Sequence, residues 1–232
     1  RSSDRNLPGQ SVDSVSRRAK YILINTKEGS AILHLGMSGS VCIVNADTPA
    51  GVHDHVDIEF DSGLVLRFRD PRRFGSLHWS RQPLSHRLLN GLGPEPLSGD
   101  FDGHYLWQRS RGRKVSIKQF IMNAHIVVGV GNIYASEALF MAGINPRRAA
   151  GRIARNRYER LADSIKEVLG KAIKAGGTTL RDFYGGDGEA GYFKQQLEAY
   201  GREDEPCRRC DSPISAIVQG QRSTYYCKRC QT

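Results

Sequence analysis

Four cysteines crowd the end of the chain: Cys207, Cys210, Cys227 and Cys230, two C-x2-C pairs separated by residues 211–226. Two residues between thiols let one tight turn aim both sulfurs at one ion, and two such turns complete a tetrahedral S4 site. That spacing is the signature of a zinc ribbon. The residues between have hairpin character. Ile214, Ala216 and Val218 alternate with polar neighbours, Gln219-Gly220-Gln221 supplies a turn, and Ser223-Thr224-Tyr225-Tyr226 returns to the second pair. Two disulfides are the competing reading and would suit a secreted protein. No secretion signal opens the sequence as given, and the segment is too short and polar to fold without a staple. One structural zinc is expected, because four thiolates leave no position open for water or substrate. Cys42, among Val41, Ile43 and Val44, reads as a small buried hydrophobe.

The next chemistry is cationic. Among 232 residues, 34 Lys+Arg outweigh 24 Asp+Glu, a formal net charge of +10 that favours a polyanionic partner. The excess is clustered: Arg109, Arg111, Arg113, Lys114 and Lys118, then Arg147, Arg148, Arg152, Arg155, Arg157 and Arg160 with only Glu159 against them. Such runs are often plain solvated faces, but a zinc segment beside them shifts the balance toward nucleic acid. Gly129-Val130-Gly131-Asn132-Ile133-Tyr134 begins like a dinucleotide fingerprint, yet Tyr134 stands where the last small residue belongs and no βαβ unit surrounds it. Two glycines ahead of a helix that Asn132 could cap fit a phosphate site at a positive helix end, or else a plain interhelical turn. Asp70-Pro71-Arg72-Arg73-Phe74-Gly75 puts two guanidiniums and a ring at a strand end, where Arg can enter a groove and Phe can wedge between bases; an exposed turn with a core Phe is the alternative. His34, His53 and His55 have no Cys or carboxylate cluster at ligand spacing, so no metal role is expected of them.

These groups need elements to hold them. Residues 20–80 read as short strands. Tyr21–Ile24 and Ala31–Leu33 flank a Lys27-Glu28-Gly29 turn, and Val56, Ile58 and Phe60 alternate with Asp57, Glu59 and Asp61 before Asp61-Ser62-Gly63 turns the chain into 64–68. Short turns imply antiparallel neighbours, hence an all-β sandwich or meander. Gly91-Leu92-Gly93-Pro94-Glu95-Pro96 breaks the pattern as a linker. Beyond it, Tyr158, Leu161, Ile165, Val168, Leu169, Ala172 and Ile173 form one helical stripe ended by Gly176-Gly177, and a second helix is expected from Asn132 to Gly143. Apolar residues make up 39% of the chain and charged ones 25%, a globular balance. No apolar run approaches the ~18–20 residues of a membrane helix, so no membrane partner is expected.

Taken together, the chain resembles the bacterial formamidopyrimidine-DNA glycosylase and endonuclease VIII family. The matching segments are Arg17-Arg18-Ala19-Lys20-Tyr21, His34-Leu35-Gly36-Met37-Ser38-Gly39, Asp70–Gly75, Val128–Glu137 and the four-Cys finger with Gln221-Arg222, in the family's order over essentially the whole chain. The resemblance implies an α+β multidomain protein: a β-sandwich over 1–91, a helix–two-turn–helix domain over 92–186, a lesion-loop end and linker over 187–197, and the zinc finger over 198–232. It implies a DNA groove between sandwich and helical module. It also implies that Met37, Arg72 and Phe74 fill the gap left by a flipped nucleotide, that His53, Arg72 and Arg113 contact DNA, and that Asn132 binds backbone phosphate. Lys20 matches the lysine credited with proton donation in β-elimination and Arg222 the arginine credited in δ-elimination, while residues 185–193 resemble the loop that closes over flipped 8-oxoguanine.

The implied function is base-excision repair of oxidised purines (8-oxoguanine and formamidopyrimidines) in double-stranded DNA, by a cytoplasmic monomer acting on the bacterial chromosome. The base is flipped, the glycosidic bond is cleaved through a Schiff base, and β,δ-elimination nicks the abasic site. The family's nucleophile is an N-terminal proline followed by glutamate, whereas the sequence begins Arg1-Ser2-Ser3. The full-length protein is expected to supply that pair, and the 232-residue chain alone to be inactive as a glycosylase. A second departure, Asn123-Ala124-His125 where many relatives carry Asp-Asn, is expected to be tolerated because Asn132 remains. The competing function is a zinc-ribbon DNA-binding protein without chemistry.

Overall fold

A computed structural model of the protein describes residues 3–177 and 196–232. They fall into two compact units, one formed by the residues up to Asn90 together with Gly176 and Gly177, and one formed by Gly91–Ala175 with residues 196–232.

The first unit opens with a short helix α1 (Ser3–Asn6) and seven strands: β1 (Val12–Arg18), β2 (Tyr21–Thr26), β3 (Gly29–His34), β4 (Ser40–Asn45), β5 (Asp54–Glu59), β6 (Leu64–Arg69) and β7 (Ser76–Ser80). They make two antiparallel sheets, ordered β1-β2-β3-β7 and β4-β6-β5. The expected hairpins are present. β2 and β3 are joined through Lys27-Glu28, with Thr26 opposite Gly29. Along β5 half-buried and exposed residues alternate, as its sequence period requires. Ala31, Ile32 and Leu33 are buried on both faces of central β3, whereas edge strand β1 is exposed almost throughout. Residues of both sheets, among them Ile24, Val56, Ile58, Phe68 and Leu77, line a cleft of about 1490 Å³. Cys42 departs from expectation: it is half-buried, its Sγ 4.0 Å from the Arg67 carbonyl.

The second unit contains α2 (Gly103–Ser110), α3 (Ile117–Ile121), α4 (Asn132–Met141), α5 (Arg155–Lys174) and the hairpin β8 (Ile214–Gln219) with β9 (Arg222–Cys227). Local chemistry sets the starts of α2 and α3: Asp102 accepts from Tyr105 N–H at 2.7 Å, and Ser116 caps α3 through Gln119 N–H. α5 buries Tyr158, Leu161, Ile165, Val168 and Leu169, but Ile173, expected in the same stripe, is 65% exposed in the last turn. The turn of the last hairpin places Gly220 and Gln221 at φ of 53° and 61°, the left-handed pair that suits a two-residue hairpin loop. The finger packs on α4 around Phe140, Ala199, Cys207, Ile214 and Cys227. Among the described residues, no helix is long and apolar enough to cross a membrane.

Candidate nucleic-acid interface

Within the first unit, three loops that are distant in sequence are tied together. Asp70 is 2% exposed; its Oδ2 accepts from Gly75 N–H at 2.6 Å, its N–H donates to His53 O at 2.9 Å, and its carbonyl lies 3.0 Å from His55 Nε2. The 70–75 loop is thus closed on itself and fixed to the His53 turn. Arg72 Nε donates to Ser38 Oγ at 3.0 Å, joining it to the 35–39 loop. Gly36 permits this approach, since a Cβ there would lie 2.7 Å from Gly75 N. The result presents Met37 at 65% and Phe74 at 62% exposure beside exposed Arg72. An apolar side chain held that far into water costs free energy unless it has a partner, and thioether, ring and guanidinium together suit the space between stacked bases. Phe74 is therefore no core residue. Lys20, exposed in the β1–β2 turn, lies near His34, whose ring is tilted against that of Tyr21 with centroids 4.9 Å apart. Burial and, secondarily, the Lys20 charge hold the His34 pKa below its ordinary value.

In the second unit the sequence expectation needs correcting twice. Asn132 does not cap α4; Gly131 occupies the cap without any side-chain bond, and Asn132 is the first helical residue. Its side chain faces the finger instead, with Nδ2 donating to Ser223 O at 3.1 Å and to Tyr200 OH at 3.3 Å. The first intrahelical bond runs from Ala135 N–H to Gly131 O, so the helix begins on backbone N–H groups that point out of its N-terminal end. The second correction is Lys118, which the sequence places in a basic run inclined toward nucleic acid. It is 1% exposed. Its ammonium donates to Asn132 Oδ1 at 2.6 Å, Thr224 Oγ1 at 2.8 Å and Ser223 O at 2.9 Å, satisfying all three protons. Burial, with the nearby Arg222 charge, draws its pKa down to about 8. α3, the start of α4 and the strand carrying Arg222 therefore converge on one cation. Glu137 is a further anchor that sequence reasoning missed. Its carboxylate accepts from the N–H groups of Glu198, Ala199 and Tyr200 at 2.7, 3.0 and 2.8 Å, and burial pushes its pKa up despite them. Only its place in an otherwise apolar helix could have flagged it. Arg113 is exposed. Residues 185–193 lie outside the described residues.

The four Sγ atoms of Cys207, Cys210, Cys227 and Cys230 lie within 4.8 Å of one another, with Cys210–Cys227 at 3.5 Å and Cys207–Cys230 at 3.9 Å. A tetrahedron with Zn–S of ~2.3 Å has S···S edges of roughly 3.8 Å, whereas a disulfide needs ~2.05 Å. The donor set fits one structural zinc and not two disulfides. Hydrogen bonds from the Ser212 backbone and hydroxyl bring the Cys210 thiol down to about 6. The bond to Cys210, together with burial, pushes Cys230 up to about 12, a clash of thiols that a dication resolves by ionising all four.

Three family descriptions match the chain: Formamidopyrimidine-DNA glycosylase N-terminal domain over residues 1–77, Formamidopyrimidine-DNA glycosylase H2TH domain over 92–184, and Zinc finger found in FPG and IleRS over 204–232. A formamidopyrimidine-DNA glycosylase of Stenotrophomonas maltophilia R551-3 is 58% identical over 225 residues, covering 97% of this chain and 83% of its own length. One from Pseudomonas putida F1 is 58% identical over 228 residues, covering 98% and 84%. Among solved structures, Lactococcus lactis Fpg in complex with abasic-site DNA superposes with a TM-score of 0.89 at 34% identity, covering 98% of this chain and 84% of that one. The MutM (FPG) protein of Thermus thermophilus gives 0.88 at 34% identity, covering 98% and 86%.

Proposed function

The chain belongs to the formamidopyrimidine-DNA glycosylase family, and on that premise we propose how its residues share the work on DNA. The protein is a DNA glycosylase of base-excision repair whose partner is duplex DNA carrying oxidised purines, with one structural zinc. Its residues act as a monomer on the bacterial chromosome in the cytoplasm. The observation that carries the reading is the exposed triad Met37, Arg72 and Phe74, locked together by the Arg72–Ser38 bond.

A stacked base is out of reach of any nucleophile, so it is extruded at a cost of a few kcal/mol, and the triad fills the space it leaves. His53, Arg72 and Arg113 hold phosphates or base edges. Because the Asn132 side chain is committed to Ser223 and Lys118, its contribution to phosphate binding comes through the backbone N–H groups at the start of α4. An amine then bonds to sugar C1′ while the bond to the base breaks and the base leaves with a proton. The resulting Schiff base acidifies the neighbouring C2′ proton for elimination. Lys20 serves proton transfer in the β step and Arg222 in the δ step.

Arg72→Ala is expected to abolish most of the preference for 8-oxoguanine duplex over undamaged duplex by raising the cost of flipping. Arg113→Ala should weaken both duplexes alike and flatten the salt dependence of binding by roughly one unit. Competition binding checks the pair, and an Arg72→Ala variant with intact lesion preference would remove Arg72 from its role.

The nucleophile is a separate matter. The family's attacking group is the amine of an N-terminal proline, and none of residues 1–232 matches it. An α-amine titrates near ~8 and is partly free at neutral pH, whereas an ordinary lysine near ~10.4 is almost wholly charged. The polypeptide of residues 1–232 made by itself is expected to bind DNA but to give no borohydride-trappable adduct with 8-oxoguanine duplex, while the full-length protein gives one. A trapped adduct from residues 1–232 would make Lys20 the nucleophile.

A further inference from the structure

Two basic runs far apart in sequence meet in space. Residues 103–116 and 144–158 contain no Asp or Glu. An antiparallel bridge pairs Ser116 with Ala149. Around it Ile117 N–H donates to Arg148 O at 2.7 Å, Ala150 N–H to Val115 O at 2.9 Å and Gly151 N–H to Arg113 O at 2.9 Å. A Cβ on Gly151 would lie 2.9 Å from Arg113 O and 3.1 Å from Arg113 N, so the approach depends on glycine. Arg113 and Lys114 are thereby carried on backbone adjacent to that of Arg147, Arg148 and Arg152, and all five side chains are exposed.

The neighbouring arginines have internal work. Arg111 donates to Ile153 O at 3.0 Å and Ser110 Oγ at 2.8 Å, Arg157 to Gly143 O at 2.8 Å and Thr232 O at 2.7 Å, and Arg155 pairs with Glu159 at 3.4 Å. The side chains of Arg113, Lys114, Arg147, Arg148 and Arg152 make no ion pair or hydrogen bond among the described residues. Like charges gathered without internal counter-charge repel one another, which is tolerable where an outside polyanion compensates them. A protein partner would need an apolar anchor at its centre. The only large apolar side chain exposed along residues 113–116 and 147–152 is Val115, at 38%.

We propose that Arg113, Lys114, Arg147, Arg148 and Arg152 form one strip that takes the phosphate backbone of duplex DNA flanking the lesion, without regard to sequence. The proposal rests on the reading of Arg113 as a DNA contact, and extends that contact to residues which the lesion site itself does not use. Each phosphate neutralised contributes about −0.9 to the slope of log affinity against log salt. The full-length Arg147→Gln/Arg148→Gln/Arg152→Gln variant should therefore lose roughly two to three units of slope on a long lesion duplex. Its affinity for a short duplex that only covers the lesion, and its borohydride-trapped yield there, should stay unchanged. The corresponding triple Arg→Lys variant should restore the slope, and zinc content with melting temperature confirms that each variant is folded. An unchanged slope on long DNA overturns the strip, as does an equal loss on short and long duplexes. An unchanged DNA slope with weakened binding to a polyglutamate probe assigns the surface to acidic proteins and overturns it too. If the wild type ignores 8-oxoguanine, the functional reading fails, and the long undamaged duplex still tests the strip.

Discussion

Stripping the zinc, or replacing Cys210 with Ser, is expected to unfold residues 204–232 and to remove measurable lesion binding. Zinc contributes ~10–16 kcal/mol to the folding of comparable finger peptides, far more than a two-stranded hairpin supplies by itself. The damage spreads because the finger is not an appendage. Cys207, Ile214 and Cys227 pack on Phe140 of α4, and Ser223 and Thr224 supply two of the three acceptors around the Lys118 ammonium. Without β9 that buried cation keeps only Asn132 Oδ1, and stranding a buried charge costs ~3–5 kcal/mol. The start of α4 and Arg222 should therefore be lost together, while amide exchange in β2 and β3 stays at its wild-type protection. Metal analysis and X-ray absorption should find one zinc per chain with Zn–S near ~2.3 Å. Metal-free protein holding two disulfides, or full lesion binding after chelation, contradicts this.

What the sequence revealed about this interface follows from which interactions are local. The C-x2-C pairs, the β5 alternation and the Gly220-Gln221 turn are fixed by neighbours a few residues away, and a linear reading finds them. The caps Asp102 and Ser116 are equally local, but α2 and α3 are short and carry a basic run, so their charge is more legible in the sequence than their helical period. Lys118 and Glu137 could not be placed at all. A Lys within a basic run looks solvated until tertiary packing brings Ser223 and Thr224, more than a hundred residues away, to meet it. Ile173 failed for the opposite reason: its spacing fits the apolar stripe of α5, but the stripe's packing partners do not cover the last turn. The strip of Arg113 to Arg152 belongs to the same class as Lys118, since nothing in either run announces the bridge at Ser116 and Ala149.

Lys118→Met should lower stability by about 2–4 kcal/mol and weaken DNA binding, because the Lys118 ammonium ties α3, α4 and β9 together. Methionine matches the lysine stem in volume, so little cavity forms. The cost comes from the acceptors left behind, at ~1–3 kcal/mol for each one truly unsatisfied. Ser223 O keeps its bond from Asn132 Nδ2, which leaves Asn132 Oδ1 and Thr224 Oγ1 to rearrange. A side chain lost only for packing would have no titration to lose, and pH separates the two cases. The lysine pKa is drawn from 10.5 to about 8 in the native state. Between those values the unfolded chain holds the proton and the native chain does not. The lysine's titration therefore adds stability as pH rises from about 8 toward 10.5, and that gain is lost as pH falls back through 8. The stability difference between wild type and Lys118→Met should accordingly widen with pH across that window, by on the order of 3 kcal/mol. Denaturant titrations at pH 7, 8, 9 and 10 measure it. Parallel curves for the two proteins would mean that Lys118 is neutral throughout or reaches water, and the convergence of α3, α4 and β9 on its charge would have to be abandoned.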